Sequence, residues 1–195
     1  MRLRGDATNV LTEEECKHLI SLSRVMSSHQ WALDRKELSE SKDRIDIYHT
    51  NDTTIEVRDF LRYVTNKVSN IVQQYLHEKI YVEFSNLVYR PPGSEHRMHV
   101  DNGSYDVNTK KVLKFDLNPE TRHYSALLYL NSCEGGEFAF HNNATHEEEK
   151  VFSMEPGKLI FFSSDENLHS SRVTRSDRWC FTMFFTRDKN SEYVI

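Results

Sequence analysis

His99 and Asp101, in the stretch Arg97-Met98-His99-Val100-Asp101-Asn102, set an imidazole and a carboxylate two residues apart. On an extended strand residues i and i+2 point to the same side, so both groups can converge on one point while Val100 turns away. That geometry suits two ligands of a first-row divalent ion; a polar pair at a strand end is the ordinary alternative for so short a motif. A third ligand has to come from a distant segment. His169 in SSDENLHSSRV is the candidate, because it follows the apolar run KLIFFS and a polar turn, which puts it near the mouth of a sheet. Two imidazoles and a carboxylate leave positions open on Fe(II) for a cosubstrate and oxygen, and the same set with a bound water would serve zinc.

Arg178 opens RWCFTMFF nine residues beyond His169. On a strand it shares a face with Cys180, Thr182 and Phe184, which aligns a guanidinium and a hydroxyl along one otherwise apolar side. A charge buried there is costly without a partner, and a bound dicarboxylate would supply a bidentate one. The competing placement is in water at the strand end, paired with Asp177 or Asp188. Tyr129 in YSALLYLN also fits a half-buried core tyrosine. His96, His123, His141 and His146 have no ligand spacing, the glutamates at 147 to 149 read as a solvated turn, and Gly135-Gly136 reads as a tight turn or bulge.

The elements that must position these groups change character along the chain. Val10 to Met26 reads as an amphipathic helix with Thr12 as N-cap and Glu15 in the reciprocal capping position, and Thr54 to His77 as a second, longer one. Between them Trp31 to Asn51 is polar, with a short candidate strand at Ile45, Ile47 and His49. After His77 come β-branched and aromatic runs: Ile80 to Tyr89, Tyr124 to Asn131, Glu137 to His141, Lys150 to Ser153, Lys158 to Ser163 and Arg178 to Arg187. Helices first and strands after predict an α+β domain, mainly β, in which two helices brace an antiparallel barrel or sandwich. The long connection from Asn102 to Thr121, with Lys110, Lys111 and Lys114, is a candidate substrate-facing lid.

The 195 residues fit one domain, and a formal charge of -5 gives no electrostatic reason to expect a nucleic-acid or anionic-membrane partner. No apolar run approaches the roughly 20 residues of a membrane span, and MRLRGDATNV is too polar for the core of a signal peptide. Cys16, Cys133 and Cys180 have no C-x-x-C spacing, and an odd number cannot close a complete set of disulfides. Sequons stand at Asn51, Asn102 and Asn143. A zinc hydrolase is disfavoured, since no H-E-x-x-H base is present.

The stretches NVLTEEECKHLISLS, LVYRPPGSEHRMHVDN, RHYSALLYLN, EGGEFAFHN, PGKLIFFSSDENLHSSRVT and DRWCFTMFFT resemble, in order, the catalytic domain of the Fe(II)/2-oxoglutarate-dependent prolyl hydroxylases, nearest the prolyl 3-hydroxylase-like branch. The resemblance implies a double-stranded β-helix, or jelly roll, at about residues 79–190, with helical support at about 10–78, in a single dioxygenase domain over 1–195. It implies His99, Asp101 and His169 as iron ligands. Arg178 and Tyr129 would hold the distal carboxylate of 2-oxoglutarate, Thr182 would line that end, and Tyr89 would reach toward the cosubstrate or prime substrate. Fe(II), 2-oxoglutarate, O2 and ascorbate are the implied cofactors, and a peptide or protein, hydroxylated at proline, the implied substrate. Another residue type, a small molecule, or an inactive binding module are the alternatives. The same resemblance favours the secretory lumen over cytoplasm or nucleus. Gly103 stands where the nearest relatives commonly carry cysteine.

Overall fold

A computed structural model of the chain describes residues 3–22, 45–47, 54–106, 109, 111–113 and 122–192. The order is β1 (Arg4–Ala7), a helix α1 over residues 13–22, β2 (Ile45–Ile47), α2 (Ile55–Leu76), β3 (Tyr81–Arg90), β4 (His96–His99), β5 (Ser104–Asp106), β6 (Lys111–Leu113), β7 (Tyr124–Tyr129), β8 (Phe138–His141), β9 (Glu148–Phe152), β10 (Leu159–Ser163), β11 (His169–Ser171), β12 (Arg178–Thr186) and a short 3-10 turn, Lys189–Ser191. It is a mixed α+β fold dominated by sheet.

Both helices begin where local chemistry satisfies their first amides. Thr12 and Glu15 form the expected reciprocal box: the Glu15 amide donates to Thr12 Oγ1 at 3.1 Å, and the Thr12 amide to Glu15 Oε2 at 2.7 Å. Helix α2 starts after Thr54, whose side chain accepts from the Val57 amide, and stops at His77 in the left-handed region. Along α2 the buried residues Val57, Leu61, Val64, Val68 and Val72 recur every three or four positions, giving one apolar stripe. The part of the first predicted helix after residue 22, and the predicted region from Trp31 to Asn51 apart from β2, lie outside the described residues. No helix among the described residues is long and apolar enough to cross a membrane.

Six strands form one sheet in the order β1-β10-β7-β12-β3-β2, and four form a second, β4-β11-β8-β9. Strand alternation divides the interior between them. On one side of the larger sheet, Leu159 and Phe161 of β10, Ala126 and Leu128 of β7, and Phe181, Met183 and Phe185 of β12 pack with Cys16 and Leu19 of α1 and the stripe of α2. On the other side, Ile160, Phe162, Tyr129, Cys180 and Val88 meet Phe138, Phe140 and Phe152 of the smaller sheet. The layers are therefore helix, six-stranded sheet and four-stranded sheet.

The predicted long connection after Asn102 is partly built: β5 and β6 pair antiparallel within it. Lys111 lies on β6, while Lys110 and Lys114 fall outside the described residues. Glu148 and Glu149 open β9 instead of lying in a turn, although both remain exposed.

Candidate metal centre

The first two candidate ligands meet at a strand end. Strand β4 stops at His99, Val100 is buried, and Asp101 sits in the turn that follows. The third comes from β11, which opens at His169 and pairs with β4 so that His169 is the register partner of His99. Asp101 Oδ1 lies 3.3 Å from His99 Nε2 and 3.5 Å from His169 Nε2, and the three ligand atoms fall within 4.8 Å of one another. His169 is only 3% exposed, deeper than a place at the mouth of the sheet suggested.

Proton positions follow from the backbone. His99 Nδ1 is 2.8 Å from the Arg97 carbonyl and His169 Nδ1 2.8 Å from the Asn167 carbonyl. A carbonyl only accepts, so each Nδ1 carries the proton and each Nε2 lone pair faces the Asp101 carboxylate. Three acceptors thus converge with no donor between them, an arrangement that a divalent cation resolves. Burial, reinforced by the nearby His99, holds His169 below its ordinary pKa and keeps its lone pair free. Burial alone would raise Asp101, but positive charge on the two imidazoles outweighs it in the metal-free protein and holds its carboxyl well below the usual range, and a cation bound between the lone pairs would supply the same field. The donor set fits Fe(II), with positions to spare.

Beside this centre runs a cleft partly open to solvent, lined by groups from both sheets, among them Val88, Leu127, Phe138, Ser171 and Cys180. Arg178 reaches into it from β12 and is 3% exposed, not paired in water with Asp177 or Asp188. Its Nη1 donates to Ser171 Oγ at 2.6 Å, and its Nε has no protein partner. The guanidinium carbon stands 5.7 Å from the centre of the Tyr129 ring, whose fully buried hydroxyl is likewise without a partner. Burial raises the Tyr129 pKa, with the Arg178 charge opposing, so the phenol keeps its proton and remains a donor. A buried cation and a buried hydroxyl with unfilled hydrogen-bonding capacity fit an anionic ligand carrying acceptor oxygens.

Thr182 lines the same cleft and hydrogen-bonds Asn86 Oδ1. Cys180 and Phe184 also line it, as the alternation of β12 requires. Tyr89 does not join them. It lies next to Val88 and Arg90, which face the cleft, and therefore turns to the other side of β3. There its hydroxyl donates to Asp177 Oδ1 at 2.9 Å and its ring packs on Trp179. Its neighbour Arg90 is the residue of this segment that lines the cleft. His96 was also missed: it lines the cleft, with its ring centre 3.8 Å from that of His99. Ser171 could have been found, since it stands two residues after His169 on a strand and so shares its face. Gly135 and Gly136 both take positive φ, 72° and 71°, just before β8, and Gly135 bridges to Thr174.

With that geometry in hand, the sequence model of the 2OG-Fe(II) oxygenase superfamily matches residues 84–186. Prolyl 3-hydroxylase 2 of Rattus norvegicus is 27% identical over 204 residues, covering 92% of this chain and 29% of that protein. Prolyl 3-hydroxylase 1 of Homo sapiens is 34% identical over 143 residues, covering 64% of this chain and 19% of that protein. The chain thus spans less than a third of the length of these curated relatives. Among solved structures, the viral collagen prolyl hydroxylase of Paramecium Bursaria Chlorella virus-1, determined as its 2OG complex, aligns with a TM-score of 0.63 at 20% identity, over 95% of this chain and 96% of that one. A Pseudomonas putida prolyl-4-hydroxylase aligns with a TM-score of 0.61 at 20% identity, over 96% and 94%. These two likenesses establish the fold.

Proposed function

The chain belongs to the 2OG-Fe(II) oxygenase superfamily, and from that premise we propose that it is a 2-oxoglutarate-dependent dioxygenase that hydroxylates a peptide or protein at proline. The observation that carries the reading is the convergence of His99, Asp101 and His169 beside a cleft that holds the unfilled donors of Arg178 and Tyr129. In this reading the two facing sheets are the halves of a double-stranded β-helix. The similarity to prolyl 3-hydroxylases supports proline as the target.

His99, Asp101 and His169 would hold the iron, with the Arg97 and Asn167 carbonyls fixing both imidazoles in the tautomer that offers Nε2. Bound iron, with 2-oxoglutarate and O2, supplies the oxidation: decarboxylation to succinate and CO2, coupled to conversion of a substrate C–H to C–OH. Arg178 would anchor the distal carboxylate of the cosubstrate, while Ser171 fixes the guanidinium by accepting from Nη1. Tyr129 would donate its phenolic proton to the same carboxylate. Thr182, held by Asn86, would shape that end of the cleft. The apolar walls Val88, Leu127 and Phe138 lower the local dielectric, which strengthens each of these contacts.

The test is succinate formation from 2-oxoglutarate with Fe(II), ascorbate to keep the iron ferrous, and a library of proline-containing peptides, beside a His169→Ala control. Succinate that depends on peptide and disappears in the control, with a one-oxygen mass gain on proline, is the expected result. Succinate formed equally well by His169→Ala would sink the assignment of the centre, and a mass gain on another residue would sink the assignment of proline.

A further inference from the structure

The two imidazoles of the metal centre rest on unequal supports. Each is turned by a backbone carbonyl two residues upstream, that of Arg97 for His99 and that of Asn167 for His169. Arg97 is exposed, whereas Asn167 is fully buried and both polar atoms of its side chain are engaged. Its Oδ1 accepts from Arg4 Nε at 2.6 Å. Its Nδ2 donates to the Leu3 carbonyl at 3.1 Å and to the Ser163 carbonyl and Oγ, both at 2.9 Å. A guanidinium only donates and a carbonyl only accepts, so these partners fix which way the amide points. The segment that presents His169 is thereby tied to β1 and to the end of β10.

Arg4 is the register partner of Phe162 on β10, so its side chain enters the space between the two sheets. There its guanidinium carbon lies 4.4 Å from the centre of the Phe140 ring, and its Nη1 meets Glu149 of β9 at 2.6 Å. Phe140 is in turn the partner of His169 on β8. Packing against Phe138 and Phe162, with ring centres 5.1 and 4.7 Å away, sets where the imidazole lies. The Asn167 carbonyl decides which nitrogen it presents, and the Arg4 contact holds the side chain beside that carbonyl.

We propose that Asn167 and Arg4 are positioning residues for the metal centre, acting through His169. The proposal rests on the metal-centre reading above and deepens it, because it makes the first strand of the chain part of what orients a ligand near the other end. Outer partners of this kind hold a ligating imidazole in one orientation and so set how tightly it binds.

The test is the Mn(II) affinity of the full chain together with, in the metal-free protein, the Nδ1–H signal of His169 observed by NMR with 15N-labelled histidine. Asn167→Ala is expected to weaken Mn(II) about tenfold, and Arg4→Gln about threefold because it acts one contact further away. Both variants should speed the exchange of the His169 ring proton with solvent. Loss of the Arg4 charge would by electrostatics alone tighten a cation, so weakening reports geometry. Lys150→Met is the control: Lys150 meets Asp6 at 2.9 Å, so the variant removes the same charge and another tie between β9 and β1 without touching Asn167. It should leave both readouts unchanged. Unchanged or tighter Mn(II) binding in Arg4→Gln, or equal weakening in Lys150→Met, would overturn the proposal while the metal centre stands. Failure of the unsubstituted protein to bind Mn(II) would overturn both. If Asn167→Ala does not fold, Arg4→Gln compared with Lys150→Met decides alone.

Discussion

The two faces of β12 follow opposite rules. On one, Phe181, Met183 and Phe185 fill the space between the larger sheet and the helices. On the other, Arg178, Cys180, Thr182 and Phe184 line the cleft beside the metal centre. The strand is the same, and a period of two assigns each residue its work. The first face stabilises by burying area and has no unfilled polar atom. The second places a cation, and with Tyr129 a hydroxyl, where neither is fully satisfied by protein. Stability is concentrated on the helix side and binding capacity on the cleft side, so substitutions on the two faces should separate in what they damage.

The largest effect should come from the helix face. Phe181 is fully buried, and Phe181→Ala should cost about 3–5 kcal/mol, a large part of the ~5–15 kcal/mol typical of a domain. Urea denaturation measures it, and a cost below about 1 kcal/mol would break the contrast between the faces. On the cleft side, Asp101→Ala should abolish stabilisation by metal. At a concentration about a hundred times the dissociation constant, Mn(II) should stabilise the unsubstituted protein by about 2.7 kcal/mol and the variant by none. An equal gain in both would mean that the ion binds elsewhere.

The same contrast explains what could be read from the sequence. Helical spacing in α2, the Thr12–Glu15 box and the apolar runs of β3, β7, β10 and β12 are local signals, and the structure contains each of those elements. The face shared by Arg178, Cys180, Thr182 and Phe184 was legible because alternation needs no tertiary information. Strands β1 and β11 are absent from the sequence reading: RGDA and HSS contain few β-formers and are strands because they pair with neighbours. Tyr89 shows how sharp the limit is. Neighbouring residues of a strand face opposite ways, so the family resemblance, which pointed to Tyr89, could not tell that Arg90 is the one turned to the cleft.

Arg178→Met gives a smaller effect and one of opposite sign. Methionine has a comparable length and no charge, and replacing a buried cation with an apolar side chain is often neutral or stabilising. The metal-free variant should equal or exceed the unsubstituted protein by up to about 1 kcal/mol. In Mn(II) it should lose the further stabilisation that 2-oxoglutarate confers. Paired urea titrations with and without 2-oxoglutarate test both parts, and loss of metal-free stability comparable to that of Phe181→Ala would place Arg178 with the structural face.

The smallest expected effect tests where the helix-side face ends. Just past β12, Arg187 meets Glu78 through Nε at 3.2 Å and Nη2 at 3.2 Å, and Tyr124 also hydrogen-bonds Glu78, so the carboxylate after α2 ties the helix end to β7 and β12. Burial pushes the Glu78 carboxyl up, but the hydrogen bonds from Tyr124 and Arg187 outweigh it and hold the pKa below its ordinary 4.5. A folded-state pKa lowered in this way contributes stability above the unfolded value and loses it as pH falls through the folded one. The side chain is a third exposed, at 33%, so solvent limits the contribution to a few tenths of a kcal/mol, ~1 at most. Glu78→Gln should therefore be slightly less stable than the unsubstituted protein near neutral pH, with the gap closing in acid below the ordinary carboxylate range. A gap that stays constant through that range would show that the Glu78 charge does not fasten the helix, and that the structural face of β12 ends with its apolar residues.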